Sequence, residues 1–178
     1  FNISYQVFMP YIIIYLEKSL GIKDYAIPLG AILVISAVAC VVFGGVIDRL
    51  GRYKFMLASS VILIAGFIGM YFARQVSIPV LIIVGTVMMG AFLVTSASVS
   101  ATIRDYTPSD KVGLFQGVRM VFQVLIPMVA GPYIGAAVIK NNNATYIEFG
   151  QVKAIPTSNI FLAAAIVAVF ALVPVCIL

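Results

Sequence analysis

Six long stretches of the sequence carry almost no charged side chain, and they limit the possible folds more than any other feature of the chain. A helix needs roughly 20 apolar residues to cross about 30 Å of hydrocarbon, and each stretch is near that length. Backbone polar groups must be paired inside lipid, so the stretches are predicted to be helices rather than open strands. The predicted spans cover residues 1–16, 27–47, 55–73, 79–98, 114–139 and 156–178.

The composition excludes a soluble domain. Of the 178 residues, 63% are hydrophobic and only 10% are charged, and the mean hydropathy is +1.15. A soluble fold keeps roughly a quarter of its residues charged to cover its surface. The chain is therefore predicted to be an all-α, multi-pass membrane protein whose partner is the lipid bilayer. Its net charge of +5 is spread over the connections and does not form one basic stripe. This distribution favours attraction to anionic lipid over binding to nucleic acid.

The connections between the spans carry the remaining polar residues. The longest, Lys140–Pro156, is rich in Asn and charged residues and is predicted to be an exposed loop. The cluster of Arg49, Arg52 and Lys54 favours a cytoplasmic position for the connections after the second and fourth spans. The chain opens inside an apolar segment without a charged leader, so we expect it to be a fragment whose first helix is cut.

Polar side chains inside the fifth span form the first candidate site. Gln116, Arg119 and Gln123 share one stripe, because residues three and four apart lie on the same face of a helix. A guanidinium that faces lipid at the bilayer centre costs several kcal/mol, so the stripe is predicted to face protein, water or headgroups. We favour an interior role for Arg119, and the alternative is that its side chain reaches the cytoplasmic surface.

The first span carries a second polar face, formed by Asn2, Tyr5 and Gln6. Two amides and a phenol offer donors, acceptors and a ring that can stack on a sugar, which suits a neutral polar solute better than a metal ion. The alternative is that these groups bond to neighbouring helices. Tyr11 and Tyr15 point to nearly the opposite side and are predicted to lie in an aromatic belt at the outer interface.

Small residues and prolines indicate how the spans pack. Two glycine pairs, each four residues apart on the fifth span, are predicted to make close helix contacts: Gly113 with Gly117, and Gly131 with Gly135. Prolines within the spans, including Pro10 and Pro127, are expected to kink their helices. Several other small side chains are predicted to have packing roles only, namely Thr95, Ser96, Ser98, Ser100, Cys40 and Cys176.

Several functions are excluded because the sequence lacks the residue types that they need. No Asp or Glu lies deep in a predicted span and the chain contains no His, so it offers no obvious intramembrane proton carrier or metal site. Any coupling ion, a proton or sodium, is expected to bind outside this chain, and no cofactor is expected. Catalytic patterns such as H-E-x-x-H and G-x-S-x-G are also missing, which argues against an enzyme.

The connection after the second span, GGVIDRLGRYK, fits the pattern G-x-x-x-D-R-x-G-R at Gly44, Asp48, Arg49, Gly51 and Arg52. It resembles the signature loop of the major facilitator superfamily of secondary transporters, which lies between the second and third helices of a six-helix half. The signature's usual last basic residue is Tyr53 here, with Lys54 following. A second stretch, Arg104–Gly135, is similar to the tenth and eleventh helices of bacterial members that carry sugars or related solutes.

The resemblance implies that the spans are helices seven to twelve, the C-terminal half of a twelve-helix fold whose N-terminal half is the missing partner. It places the first, second, fourth and fifth spans around a midplane cavity and turns the third and sixth toward lipid. It also implies a bacterial plasma membrane and alternating-access transport of a small solute, a sugar or glycoside. The alternatives are an exporter of amphipathic drugs and a homodimeric six-helix channel or scaffold.

By the same resemblance, the signature loop is a cytoplasmic gate. Charge-assisted bonds from Asp48 would hold one conformation and break in the other, as alternating access requires. The alternative is an anchor that fixes topology without switching. The predicted gate residues are Gly44, Asp48, Arg49, Gly51, Arg52, Arg104 and Asp105.

Overall fold

The computed structural model describes residues 1–50, 52–73, 77–140, 144–148 and 151–177. Within these ranges it describes every side chain except those of residues 44–50, 52, 148, 151, 171 and 173–177. The described part consists of helices joined by short connections, together with one two-stranded sheet.

The first segment of the chain is an interrupted helix. α1 (Asn2–Phe8) is followed by a 3₁₀ turn at Met9–Tyr11, by α2 (Ile12–Ile14) and by a π turn at Tyr15–Ser19. Pro10 lies in the 3₁₀ turn, where its missing N–H and its bulky ring disfavour regular α-helical bonding. The proline therefore accounts for a break at the place where the sequence predicts a kink.

The remaining helices are long and mostly uninterrupted. They are α3 (Ala26–Leu50), α4 (Arg52–Phe72), α5 (Ile78–Tyr106), α6 (Val112–Met120), α7 (Ile126–Ile139) and α8 (Asn159–Ile177). A π turn at Val121–Leu125 joins α6 to α7 just before Pro127. Among the described residues, four helical stretches are long and apolar enough to cross a membrane: Ala26–Phe43, Tyr53–Phe72, Ile78–Tyr106 and Val112–Ile139.

The connection between α7 and α8 corrects the purely helical prediction. An exposed loop was expected over Lys140–Pro156, but β1 (Thr145–Glu148) and β2 (Gln151–Ala154) pair there as an antiparallel hairpin. Tyr146 lies opposite Lys153, and Ile147 lies opposite Val152. Aromatic and β-branched residues favour strands, and cross-strand pairs of such residues stabilise a hairpin. The Asn-rich composition of the connection favoured a loop and so drew attention away from these residues.

The core lies where the first segment meets α4 and α8. The ring centroid of Phe8 lies 5.6 Å from that of Phe67 and 5.4 Å from that of Phe161. Tyr15 packs edge-on against Phe161 at 5.2 Å and is only 1% exposed. The belt position predicted for Tyr15 is therefore wrong, because its ring fills the core instead of facing headgroups.

α5 is the central helix on the other side of the bundle and packs against both α3 and α4. It runs antiparallel to α4, since Ser59 contacts Thr95 while Gly66 lies against Met88 further along. α1 packs against α7 and α8, and it runs parallel to α7: Asn2 bonds to Gln123 and Tyr11 bonds to Pro132.

Candidate functional site

Arg119 lies on the fifth segment, which consists of α6, the π turn at Val121–Leu125 and α7. Two neutral acceptors hold its side chain between this segment and α5. Its Nε donates to Oε1 of Gln123 at 2.6 Å, one turn further along the same segment. Its Nη2 donates to Oγ of Ser100 on α5, also at 2.6 Å. Both bonds orient the planar guanidinium along the contact between the helices, and the side chain is half-buried there.

A cleft of about 460 Å³ lies beside this guanidinium, between the last turns of α5 and the length of α6. We call it the α5–α6 cleft. Its polar lining consists of Ser100, Arg104, Thr107, Gln116 and Arg119, with apolar side chains such as that of Phe115 between them. The structure thus brings Gln116 and Arg119 of the predicted substrate stripe to one cavity, together with Arg104 of the predicted gate.

The polar face of the first span is used largely for helix contacts. Nδ2 of Asn2 donates to the backbone carbonyl of Gln123 at 2.9 Å. The ring of Tyr5 stacks on Phe92 with a centroid distance of 4.1 Å and an interplanar angle of 12°, so one face of the ring is covered by protein. Gln6 lies against Gly131 of α7. None of these three first-span residues is among those that line the α5–α6 cleft.

Most of the predicted gate lies outside the described residues, namely Gly51 as a whole and the side chains of Asp48, Arg49 and Arg52. Gly44 falls in α3, within the stretch whose side-chain environment is not described. Arg104 and Asp105 close α5 and are both exposed. The ion-pair cluster therefore stays a prediction.

The two glycine pairs of the fifth span differ in what they contact. A Cβ at Gly131 would collide with Gln6, and one at Gly135 would collide with the carbonyl oxygen of Val7 and the ring of Tyr11. At Gly113 and Gly117, a Cβ would meet nothing within 4 Å. The packing prediction is confirmed for Gly131 and Gly135, and for the other pair it stays a prediction because no described residue lies close to it.

Two partners were missed from the sequence. Ser100 was assigned to packing, yet its hydroxyl accepts the bond from Arg119. Tyr11 was assigned to an aromatic belt, yet its hydroxyl donates to the carbonyl of Pro132 at 3.0 Å across α1 and α7. Both contacts join residues far apart in the chain, so no local spacing could indicate them.

The described residues hold no group of three or more His, Cys, Asp or Glu side chains arranged for a metal ion. A further polar contact is structural, since Oγ1 of Thr95 lies 2.8 Å from Oγ of Ser59 and joins α5 to α4 in the buried core. The α5–α6 cleft has five polar side chains in its lining, whereas a larger cavity of about 630 Å³ has three, those of Ser19, Lys23 and Asp24.

The comparison with protein families gives one result, and it concerns the whole chain. The model of the Major Facilitator Superfamily matches residues 1–178. No curated protein and no solved structure matches the chain. The family match and the four long apolar helices agree on a protein embedded in the bilayer. The chain therefore belongs to the Major Facilitator Superfamily of secondary transporters, and it is an integral, multi-pass membrane protein and not an enzyme.

Proposed function

We propose that this chain is the C-terminal, six-span half of a bacterial plasma-membrane transporter that moves a sugar or glycoside by alternating access. The observation that carries the proposal is the α5–α6 cleft with its fixed guanidinium. Its volume of about 460 Å³ lies within the range of roughly 300–1,000 Å³ that is typical of small-molecule sites.

The groups around the cleft match the chemistry of a polyhydroxylated solute. Arg119 and Gln116 supply N–H donors, the amide oxygen of Gln116 accepts, and the hydroxyl of Thr107 can do either. The bonds from Arg119 to Ser100 and Gln123 fix its side chain before the solute arrives. Less side-chain entropy is then lost on binding, which favours affinity.

The exposed surface of the fifth segment supports a second half of the transporter. α6 has no buried residue, and large apolar side chains such as Leu114, Phe122 and Met128 are mostly exposed along α6 and α7. An N-terminal half of the same polypeptide would enclose this surface and complete a cavity between the two halves. We propose that any coupling ion, a proton or sodium, binds in that other half.

Export of an amphipathic solute is the second candidate function. An apolar groove of about 290 Å³ between α3, α4 and α5, lined in part by Phe43, Ile62 and Val87, favours it. The two arginines of the α5–α6 cleft argue against lipophilic cations there, because like charges repel at close range. Membership of a transporter family also argues against the homodimeric channel or scaffold.

The test uses the full-length transporter in proteoliposomes with Gln116→Ala and Gln123→Ala. Each change removes hydrogen bonds worth about 1 kcal/mol, so the apparent affinity for the transported sugar should fall about fivefold. Gln116→Ala acts directly on the solute, whereas Gln123→Ala releases Arg119. Asn159→Ala, at the exposed start of α8, is the control and should leave affinity unchanged. Unchanged affinity in both glutamine variants would remove the cleft from the binding site.

A labelling experiment separates the two candidate solute classes. Gln116→Cys is introduced into the full-length transporter after Cys40, Cys176 and every cysteine of the other half have been replaced by Ser, and its reaction with a hydrophilic maleimide is followed. A transported sugar should protect the introduced thiol, whereas tetraphenylphosphonium, a lipophilic cation, should not. Protection by the cation alone would support the exporter.

A further inference from the structure

We infer that the α5–α6 cleft binds the carboxylate of its solute, so that the transported molecule is an acidic sugar or a similar organic anion. The inference rests on the proposed function and narrows its solute class. The observation that carries it is that two guanidinium groups, those of Arg104 and Arg119, line one cleft in which none of the described lining residues is acidic.

The described hydrogen bonds of Arg119 go to neutral groups and leave most of its donors unused. A guanidinium has five N–H donors, and the described contacts use one on Nε and one on Nη2. Both acceptors, the amide of Gln123 and the hydroxyl of Ser100, are neutral. The contacts described for Arg119 include no carboxylate.

A half-buried cation with neutral partners is an expensive arrangement in a membrane protein. Charges inside a bilayer protein are rare, and they are normally paired or line a water-filled path for a solute or ion. The described contacts orient the guanidinium of Arg119, but they do not include a negatively charged group. An anionic group on the solute would provide the counter-charge each time the site is occupied.

The hydrogen-bond donors that Arg119 still has free favour a carboxylate as the anionic group of the solute. Nε and one hydrogen of Nη2 are engaged, so both hydrogens of Nη1 and the second hydrogen of Nη2 are left for a ligand. A carboxylate can accept two parallel bonds, one from Nη1 and one from Nη2. Gln116 and Thr107 remain for the hydroxyls of the same molecule. Arg104, exposed at the end of α5, adds positive potential that attracts an anion to the cleft.

The test compares sugars that differ only in oxidation of one CH₂OH group to a carboxylate. The pairs are D-glucose with D-glucuronate, D-galactose with D-galacturonate, and methyl glucoside with methyl glucuronoside. Dissociation constants are measured by calorimetry on the full-length transporter in nanodiscs. The wild type should prefer the acidic member of the bound pair by about tenfold or more, as expected for a charge-assisted bond.

Variants of single residues then show which side chains cause the preference for the acidic sugar. Arg119→Gln should bring the ratio of the two constants close to one, while Arg119→Lys should keep part of it, because the charge remains without the fork. Arg104→Gln should reduce the ratio by a smaller factor. Lys140→Gln, a change of the same charge at the exposed end of α7, should leave it unaltered.

The outcomes separate this inference from the proposed function. Equal binding of neutral and acidic sugars by the wild type overturns the carboxylate site while sugar transport stands. No binding of any pair overturns the proposed function and the inference with it. A preference that occurs in phosphatidylcholine but disappears in phosphatidylglycerol would assign Arg119 to anionic headgroups and would also overturn the carboxylate site.

Discussion

α6 and α7 form one apolar stretch of the sequence, but their surroundings in the bundle are opposite. α7 buries Pro127, Gly131, Gly135 and Ile139, a stripe with a period of four, and the two glycines of this stripe lie against the first segment. α6 buries no residue, and it presents its polar positions to the α5–α6 cleft. Two glycines four residues apart therefore permit a second helix to approach closely, but their spacing does not show that a second helix packs against them.

The π turn between the two helices connects the packed region to the open one. Its Gln123 accepts a bond from Asn2 through the backbone carbonyl and a bond from Arg119 through the side chain. A π turn inserts one extra residue and so changes the helical phase, which lets the side chains before and after it face different neighbours. Such turns often occur at functional sites, and this one positions Arg119 beside the cleft.

The largest expected effect is on folding, from Gly135→Leu. The side chain would have to occupy the space of the Val7 carbonyl and the Tyr11 ring, so α1 and α7 would separate. Overpacking costs about 1–3 kcal/mol, and a large residue against backbone belongs at the upper end. The Tm of the full-length protein in detergent should therefore fall by on the order of 5 °C or more.

Gly117→Leu is the matched control for this variant. It introduces the same side chain on the same segment, at a position with open space, and it replaces Gly by a better helix former. Its Tm should fall by clearly less than that of Gly135→Leu. An equal fall in Tm for both variants would show that α6 is packed as tightly as α7, and the contrast between the helices would be lost.

A smaller effect on stability is expected from Tyr11→Phe. The change removes the hydrogen bond to the carbonyl of Pro132 while keeping the ring between α1 and α7. Loss of such a bond costs about 1 kcal/mol, which corresponds to a fall in Tm of about 2–4 °C.

Tyr133→Phe provides the comparison, because Tyr133 lies on α7 with 76% of its surface exposed. The Tm of this variant should fall by less than that of Tyr11→Phe. If both tyrosine variants lose the same stability, the bond across α1 and α7 contributes nothing specific.

Local periodicity predicted the contacts that lie within one helix or on one face of it. Arg119 and Gln123 are four residues apart, so the sequence places them together and the structure joins them. The apolar character of the long helices followed from composition in the same way. Gly131 and Gly135 were identified as contact positions by spacing alone, although their partner was not.

Contacts between distant parts of the chain could not be predicted, because periodicity fixes which residues share a face but not which helix lies opposite. Tyr15 was expected at an interface and is buried against Phe161. The partner of Asn2 is a backbone carbonyl, a group that every residue carries and that no side-chain pattern marks. The acceptor role of Ser100 likewise depends on the antiparallel approach of α5 and α6.

The smallest effect is expected from Ser100→Ala, and it tests whether α6 is open for binding. Loss of the hydroxyl frees Nη2 of Arg119 and loosens the guanidinium, so affinity for the transported solute should fall about threefold to fivefold, equivalent to about 1 kcal/mol or less. The Tm should hardly change, because α6 contributes no buried residue to the core. Thr102→Val is the control, since its hydroxyl donates only to Ser98 on its own helix. A fall in Tm with unchanged affinity in Ser100→Ala would mean that the bond holds α5 against α6, and the fifth segment would then be a packing element along its whole length.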